Sequence, residues 1–255
     1  MLLGIYSYRP DIEDVICSKL GTVGQFIVCQ SRNYTNQVII FVNTHLFYHP
    51  TAGFIRLLQV EAMIQILQTL KEVIRLQGTG FNFECDAEED YEACNNSPLP
   101  VTKDIVITAM LIGDLNSTPE SAAIEYLLSG VISSTHEVWQ SINNFKWGKR
   151  LGEQEENDKT SEINANDKII FEESTLPNLS HQYKFSTAAG YPKYTNYTRD
   201  FKDLLDYIFV DESIHIKRVF PFPDELVLSS ELALPSKSFP SDHISVVVDL
   251  QFKNI

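Results

Sequence analysis

Residues 104–117, DIVITAMLIGDLNS, decide how the rest of the chain can fold. The apolar run at 105–112 is rich in β-branched residues and stops at a glycine, which predicts a buried strand that ends at the edge of a sheet. Because alternate residues of an extended backbone share a face, we expect Asp114 and Asn116 to point the same way while Leu115 packs inward. A carboxylate beside a carboxamide can hold a water molecule or a metal-bound phosphate oxygen. The alternative is an ordinary turn after a strand, where both residue types are common.

The composition is that of one α/β domain with its own core, since 44% of the 255 residues are apolar. The four cysteines have neither CxxC spacing nor the density of a disulfide scaffold. We therefore expect reduced thiols in an intracellular protein, with a Cys85–Cys94 pair as the alternative. No apolar run approaches the roughly 20 residues of a membrane span, so no membrane partner is expected.

The net charge of −14 argues at first against a nucleic-acid partner. Most of this charge lies in two stretches, 84–92 and 153–173, which lack hydrophobic periodicity. They predict solvated acidic insertions at about 79–103 and 148–176 within a single domain that spans residues 1–255. The rest of the chain is close to neutral, so its charge does not exclude a nucleic-acid substrate.

Strand patterns alternate with helix patterns along the chain. Residues 37–44 predict a strand, and residues 54–77 carry apolar side chains at helical spacing, which predicts a long amphipathic helix. Such alternation is typical of α/β layers in which helices cover a sheet. A short helix is expected at 121–129, opened by Pro119 and Glu120. Further strands are expected at 204–210, 215–220 and 244–252, the last buried on both faces, and a weak apolar patch at 24–30 could be another.

Four groups of polar residues fall at the ends of predicted strands: His45, Asp114 with Asn116, Asp206, and Asp242 with His243. Carboxylates hold a hard cation such as Mg²⁺, and an imidazole bound to a carboxylate can stabilise or protonate phosphate oxygens. If the sheet brings these ends together, the set suits cleavage of a phosphate ester with a divalent metal. Taken singly, each has a structural alternative: a satisfied histidine, an ion pair with a lysine, or the cap of a turn.

The chain carries, in this order, the motifs NTH at 43–45, GDLNSTP at 113–119, YTNYT at 194–198, LDYIF at 205–209 and PSDH at 240–243. Together they resemble the endonuclease/exonuclease/phosphatase superfamily, particularly its deadenylase branch, over about residues 29–253 apart from the acidic insertions. The resemblance implies an α/β sandwich of two packed sheets flanked by helices. It also implies a Mg²⁺-dependent phosphodiesterase or exoribonuclease that degrades 2′-5′ oligoadenylate or poly(A) tails to AMP.

The resemblance implies a catalytic role for each group at a strand end. His45 would bind the scissile phosphate. Asp114 would position or activate the attacking water, and Asn116 would hold that water and the phosphate. Asp206 would pair with His243, which would stabilise the phosphorane transition state.

The same resemblance implies a Mg²⁺ site with Asp242, Asp114 and Asn116 as ligands. Family members carry, upstream of NTH, an Asn-Ile-Leu-Ala segment and a Gln-Glu-Val segment whose glutamate is the principal magnesium ligand. Neither segment occurs here. The chain is therefore expected to correspond to the carboxy-terminal half to two-thirds of such an enzyme, with the amino-terminal strands of the fold missing.

An adenine site is also implied by the resemblance. In the deadenylase branch a proline and an aromatic residue sandwich an adenine, and they correspond to Pro50 and Tyr194 here. Stacking of this kind is worth about 1 to 3 kcal/mol per base. Asn196, in the same motif as Tyr194, is predicted to contact the substrate. The alternative for Tyr194 is a role as a core aromatic.

Other functions stay open on the sequence alone. The same site could act on a non-nucleotide phosphodiester, such as a sphingolipid or an inositol phosphate. Without the Gln-Glu-Val segment, the chain could instead be a catalytically inactive binding module. A mitochondrial location is expected by resemblance only, because one member of the branch works there, and the cytoplasm is the alternative.

Overall fold

The computed structural model of the chain describes residues 21–34, 36–77, 105–145, 176–230 and 233–253. The two acidic insertions lie outside these ranges, except for residue 176 at the end of the second one. Of the four cysteines, Cys29 is described, and its thiol is free in an exposed residue. None of the helices in the described ranges is both long enough and apolar enough to cross a membrane.

In chain order, the elements of the described residues are β1 (Gly24–Gln30), β2 (Gln37–His45), α1 (Gly53–Gln77), β3 (Val106–Asp114), α2 (Ala122–Ser129), β4 (Val131–Ile132), the 3₁₀ turn Glu137–Gln140, α3 (Ser141–Asn144), β5 (Leu179–Ser180), β6 (Ser186–Thr187), β7 (Asn196–Tyr197), β8 (Lys202–Asp203), β9 (Asp206–Val210), β10 (Ile214–Val219), α4 (Glu225–Ser230) and β11 (Val248–Phe252). The predicted helices and strands are confirmed to within about two residues at each end, except the last strand. Pro119 and Glu120 lie in a turn that precedes α2 rather than in its first turn.

A five-stranded mixed sheet in the order β1-β2-β3-β9-β6 forms the centre of the fold. Strands β2 and β3 are parallel, and the other neighbouring pairs are antiparallel. Strand β3 is longer than its apolar run predicts, because Gly113 and Asp114 still pair with Tyr207 and Asp206 of β9. The strand that the central motif predicts therefore has a partner on each side up to its last residue.

Helix α1 covers one face of this sheet. In β2, Val38, Ile40 and Val42 are buried, whereas Ile39 and Phe41 on the opposite face are half-buried. The buried β2 residues share one core cluster with apolar side chains of α1, among them Leu57, Val60, Ile64 and Leu67. Because strand side chains alternate between faces, the helix buries the even-numbered side of β2. The predicted helix-on-sheet layering is confirmed.

Strands β10 and β11 form a second, two-stranded sheet on the other face. Apolar contacts join the two sheets through Met110, Val210 and Ile214, with Val248 and Leu250 packed against them. The prediction that the last strand is buried on both faces is wrong, since β11 residues alternate between half-buried and exposed. Among the described strands β10 is its pairing partner, and one face of β11 meets the central sheet while the other meets solvent.

A glycine lets the two parallel strands approach each other at their ends. Gly113 has a φ of 138°, and a Cβ atom placed on it would lie 1.8 Å from the backbone oxygen of Thr44. Thr44 is the direct register partner of Gly113 in β2. A side chain at this position would therefore push the strands apart immediately before His45 and Asp114.

We predict that Gly113→Ala lowers the free energy of unfolding by at least about 2 kcal/mol, because both backbone strain and a backbone collision result. The control is Gly190→Ala, since Gly190 has a φ of 67° but no atom within 4 Å of an added Cβ. That variant isolates the strain of a left-handed residue, which costs about 1 to 2 kcal/mol. Urea unfolding measures both, and equal losses would contradict the collision.

A buried polar cluster lies in the core between α1 and α2. The Tyr126 hydroxyl donates to one carboxylate oxygen of Glu61, and the side-chain amide of Gln65 donates to the other at 2.6 Å. Nδ1 of His181 accepts from the backbone N–H of Tyr183 at 3.1 Å, so its proton lies on Nε2, 2.9 Å from the carbonyl oxygen of Tyr126. Burial lowers the pKa of His181, and the hydrogen bond from Nε2 to the Tyr126 carbonyl opposes the shift. The imidazole is therefore held neutral.

We predict that acidification weakens the fold through His181. In the unfolded chain this histidine takes up a proton near its ordinary pKa of about 6.5, whereas the folded protein resists protonation until a lower pH. The contribution of His181 to stability is thus complete above the unfolded-state pKa of about 6.5, and it is lost as the pH falls from there to the lowered pKa of the folded protein. Urea unfolding between about pH 7.5 and about pH 5.5 should show a steeper loss for the wild type than for His181→Gln, which does not titrate. Identical slopes would contradict the assignment.

Candidate active site

The ends of β2, β3 and β9 meet at one edge of the central sheet. The register places His45 opposite Asp114, and Asp114 opposite Asp206. Residues directly opposite one another in a sheet project to the same face. Three of the residues singled out in the sequence, His45, Asp114 and Asp206, therefore stand in one row, as the convergence of strand ends predicts.

A fourth residue, His243, joins this row from the segment that precedes β11. Its backbone bridges to Asn196, and its Nδ1 lies 2.7 Å from Oδ2 of Asp206. Its other ring nitrogen, Nε2, lies 3.8 Å from Oδ2 of Asp114, and Nε2 of His45 lies 3.3 Å from that same oxygen. Two imidazoles thus flank one carboxylate oxygen, and the second carboxylate orients one of them.

Asn116 reaches the site by a turn rather than by an extended backbone. It has a φ of 46°, in the left-handed region that asparagine tolerates, so the predicted alternation of faces is wrong beyond Asp114. Its backbone N–H donates to Oδ1 of Asp114 at 2.8 Å, and its side-chain amide donates to the Leu46 carbonyl at 2.8 Å. The Asp114 carboxylate is thus contacted by the Asn116 backbone, whereas the prediction placed the two side chains next to each other; Leu115 is fully buried, as predicted. The turn alternative is fulfilled as well, since the first bond closes an Asx-type turn.

The surroundings of the row favour protonation of both His243 and Asp114, since the pKa of each is raised. Burial raises the pKa of Asp114, and the charge of Asp206 adds to this, against the Asn116 N–H and the nearby histidines. Burial disfavours the imidazolium of His243, but its hydrogen bond to Asp206 and the surrounding carboxylates outweigh it and raise its pKa. A positive group is therefore available where an anionic phosphate would bind.

Thr195 positions Asp206, and the sequence reasoning did not assign it a role. This residue is fully buried, and its Oγ1 accepts hydrogen bonds from the backbone N–H groups of Leu205 and Asp206, both at 3.0 Å. Its carbonyl accepts the N–H of Ile244 at 2.7 Å, next to His243. One side chain and its backbone thus tie together the two segments that carry the aspartate and the imidazole. Its place inside the YTNYT motif was the available signal.

Arg56 of α1 holds the segment after β2 and was also missed. It is buried, and its Nη1 donates to the carbonyls of Phe47 at 3.1 Å and His49 at 2.7 Å. Its Nε donates to Oγ of Ser117 at 3.2 Å, just beyond the Asp114 turn. Burial lowers its pKa to about 10, opposed by the charge of Asp114, so it stays cationic near neutral pH. An arginine inside the apolar stripe of a long helix was the signal in the sequence.

Comparison with known proteins identifies the family. A model of the Endonuclease/Exonuclease/phosphatase family matches residues 21–243, which include every member of the row. The chain belongs to the endonuclease/exonuclease/phosphatase family. The family membership that the sequence motifs indicate is confirmed.

Two curated relatives fit the deadenylase branch of this family. The 2′,5′-phosphodiesterase 12 of Mus musculus is 32% identical over 235 residues, which cover 91% of this chain and 29% of the relative. The CCR4-Not complex 3′-5′-exoribonuclease subunit Ccr4 of Aspergillus niger is 24% identical over 258 residues, which cover 96% of this chain and 34% of the relative. The chain thus spans about a third of the length of the curated relatives it matches. The stretch NTHLFYHPTAGFIRLLQ and residues 194–253 already indicate a likeness to 2′,5′-phosphodiesterase 12, and the comparison confirms that likeness at the level of the chain.

A solved structure shows the same fold. The structure of ANGEL2, a 2′,3′-cyclic phosphatase, in complex with adenosine-2′,3′-vanadate superposes with a TM-score of 0.57 at 18% identity. The match covers 91% of this chain and 61% of that one. The predicted α/β architecture of the endonuclease/exonuclease/phosphatase family is confirmed.

The donor groups of the row fit a divalent cation. Among the described residues, ligand atoms of Asp114, Asp206 and His243 lie within 4.8 Å of one another. Carboxylate oxygens are the ligands that a hard cation prefers. Nδ1 of His243 is already engaged by Asp206, so we expect the carboxylates to carry the metal and the imidazole to face the phosphate. The side-chain oxygen of Asn116 is a further candidate ligand, since the amide nitrogen of the same side chain already donates to the Leu46 carbonyl.

Asp242, predicted as a metal ligand, does not join this cluster. Its side chain is exposed, and its backbone carbonyl accepts the N–H of Tyr197 at 3.0 Å. Asp206, predicted as a catalytic residue, is a member of the cluster.

The two residues of the predicted adenine site, Pro50 and Tyr194, differ in their exposure. Tyr194 is 6% exposed and packs edge to face on Tyr197 at 4.9 Å, in a small core with Leu228, whereas Pro50 is exposed. This burial favours the alternative of a core aromatic. Asn196 is 5% exposed, and its Oδ1 finds no hydrogen-bond partner among the described residues. A buried acceptor beside the His243 backbone is consistent with the predicted substrate contact, since a substrate donor would satisfy it.

We predict that Arg56→Met destabilises the fold by about 3 kcal/mol, because two carbonyls and a hydroxyl lose a buried donor. The matched control is Arg75→Met, which removes an exposed arginine from the last turn of the same helix and should cost less than about 0.5 kcal/mol. Urea unfolding measures both variants. Equal effects would mean that the Arg56 hydrogen bonds contribute little.

Proposed function

We propose that this chain forms the catalytic face of a Mg²⁺-dependent phosphodiesterase that releases AMP from 2′-5′ oligoadenylate or from the 3′ ends of poly(A). The observation that carries the proposal is the carboxylate of Asp114 between two imidazoles, one of them oriented by Asp206. This arrangement offers an acceptor for a water proton and donors for phosphate oxygens within one row.

The row suggests how a phosphodiester is held. An anionic phosphate bound next to Asp114 receives hydrogen bonds from His45 on one side and from Nε2 of His243 on the other. His45 is the more exposed of the two, with 71% of its side chain accessible against 28% for His243. We assign initial capture of the phosphate to His45 and stabilisation of the transition state to the less exposed His243.

Hydrolysis requires a water molecule in line with the leaving sugar oxygen. The carboxylate of Asp114 accepts a hydrogen bond from this water, and the Asn116 turn keeps the carboxylate oriented. Attack on phosphorus forms one P–O bond as the water proton passes to Asp114, and places extra charge on the equatorial oxygens. The bond to the 2′ or 3′ oxygen breaks, and that oxygen takes up a proton and leaves as the sugar hydroxyl. His243, fixed by Asp206, donates to that charge.

A divalent cation held by Asp114 and Asp206 would neutralise part of the phosphate charge and lower the pKa of a bound water. The choice of Mg²⁺ rests on the oxygen-rich donor set and on what the family resemblance implies. The choice of an adenylate substrate rests on the names of the relatives, a 2′,5′-phosphodiesterase and a 3′-5′-exoribonuclease.

We predict that His243→Ala lowers the rate of AMP release by at least about a hundredfold, because the transition-state donor is lost. The control is His215→Ala, which removes an exposed histidine of β10 on the second sheet. Chelation of divalent ions should abolish release, and added Mg²⁺ should restore it. Chromatographic measurement of AMP from adenylate trimers provides the readout.

Other outcomes separate the competing functions. An undiminished rate in His243→Ala would refute the proposed mechanism. Binding of oligoadenylate by the wild type without Mg²⁺-dependent turnover would identify a binding module instead. Hydrolysis of sphingomyelin but not of oligoadenylate would place the chain among enzymes of non-nucleotide phosphodiesters.

A further inference from the structure

Tyr48 is an exposed aromatic residue at the rim of the site, and the proposed mechanism gives it no role. Tyr48 is 62% exposed, although Phe47 and His49 on either side of it are buried. Its ring packs edge to face against Phe47, with centroids 5.4 Å apart, and lies tilted to His49 at 6.4 Å. One edge of the tyrosine is thus anchored while much of the ring remains open to solvent.

The backbone that carries this ring is held firmly. Arg56 donates to the carbonyls on both sides of Tyr48, and the N–H of Phe47 donates to Oε1 of Gln59 at 3.2 Å. The N–H of Leu46 is bound by the carbonyl of Asp114 at 2.9 Å. A ring fixed in this way loses little conformational freedom when a ligand packs against it, which favours binding.

The ring borders a cavity of about 810 Å³ that it shares with His45 and Asp114. Gln25 and Asn43 also line this cavity, and they are direct partners across the antiparallel β1–β2 pair. Their side chains therefore project to the same face, and each carboxamide offers both donors and an acceptor. An open aromatic face and two carboxamides thus lie beside the phosphate-binding row.

A second cavity of about 710 Å³ also borders Asp114 and shares Asn43 with the first. Its aromatic residues are Tyr207, which is buried, and Phe239, which is half-buried, and Asp206 and His243 lie in its wall. A nucleobase has a flat π face and polar edges, so the cavity with the exposed ring of Tyr48 matches it better.

We propose that Tyr48 is the stacking platform for the nucleobase next to the scissile phosphate, with Gln25 and Asn43 facing the polar edge of that base. The proposal rests on the proposed function, because it names a subsite of the same phosphodiester site. It assigns substrate positioning to a residue of the rim and leaves phosphate chemistry to the row. Since every base has a π face, the platform selects nucleotides over simple phosphate esters more than it selects one base.

The test compares three variants of the full chain in the binding of a fluorescein-labelled 2′-5′ adenylate trimer, measured by anisotropy without added Mg²⁺. Tyr48→Ala should weaken binding roughly tenfold, and Tyr48→Phe should bind like the wild type because it keeps the ring. The matched control is Tyr34→Ala: Tyr34 is 59% exposed, but it lies in the turn at the far end of the β1–β2 hairpin. Its replacement should leave binding unchanged.

A trimer with an abasic sugar next to the scissile phosphate localises the effect. The wild type should bind this probe at least as weakly as Tyr48→Ala binds the complete trimer, and on the abasic probe Tyr48→Ala should bind as well as the wild type, because there is no base left for the ring to stack on. Unchanged binding by Tyr48→Ala, while the wild type still hydrolyses the trimer, would overturn the platform and leave the proposed function standing. A wild type that neither binds nor hydrolyses the trimer would overturn both.

Discussion

The parallel pairing of β2 with β3 places His45 beside Asp114, and the rest of the site depends on that register. The two strands stay in step along their whole length, from the Gln37–Val106 pair to the His45–Asp114 pair. Because strand side chains alternate, a slip of one residue would turn the Asp114 carboxylate toward α1 and away from His45 and His243. The pair that precedes His45–Asp114, Thr44 with Gly113, requires a glycine. The register and the catalytic row are thus consequences of the same backbone contact.

Apolar patterning was enough to predict the elements that support the site, because most of them are long and buried on at least one face. Strand β2 and helix α1 show their periods clearly, and the run before Gly113 predicts β3. The prediction failed at β11, where a run of valines suggests a fully buried strand. That strand lies in a two-stranded layer with one face in solvent, and an apolar run does not reveal how many neighbours a strand has.

The site was predictable where chemistry coincides with strand ends. His45, Asp114 and Asp206 each stand at such an end, so a sheet that gathers the ends gathers these residues, whereas His243 lies on the segment before β11 and reaches Asp206 with its side chain. Arg56 and Thr195 could not be assigned in this way, because they hold backbone groups outside their own elements: Arg56 the carbonyls of Phe47 and His49, and Thr195 the N–H of Asp206, 11 residues away. Sequence spacing says which side chains share a face, but not which distant carbonyl needs a donor.

The aspartate and histidine at the centre of the site belong to different layers, and this makes catalytic geometry a matter of packing. Asp206 begins a strand of the central sheet, whereas His243 lies on the segment that leads into the second sheet. The hydrogen bond between them closes the gap at one point, while apolar contacts through Met110, Val210 and Leu250 hold the layers together elsewhere. His45 and Asp114 share one sheet, so a shift between the layers would leave the pair proposed to capture the phosphate intact and displace the imidazole proposed to stabilise the transition state. In the proposed mechanism, the apolar contact between the sheets therefore affects turnover more than substrate capture.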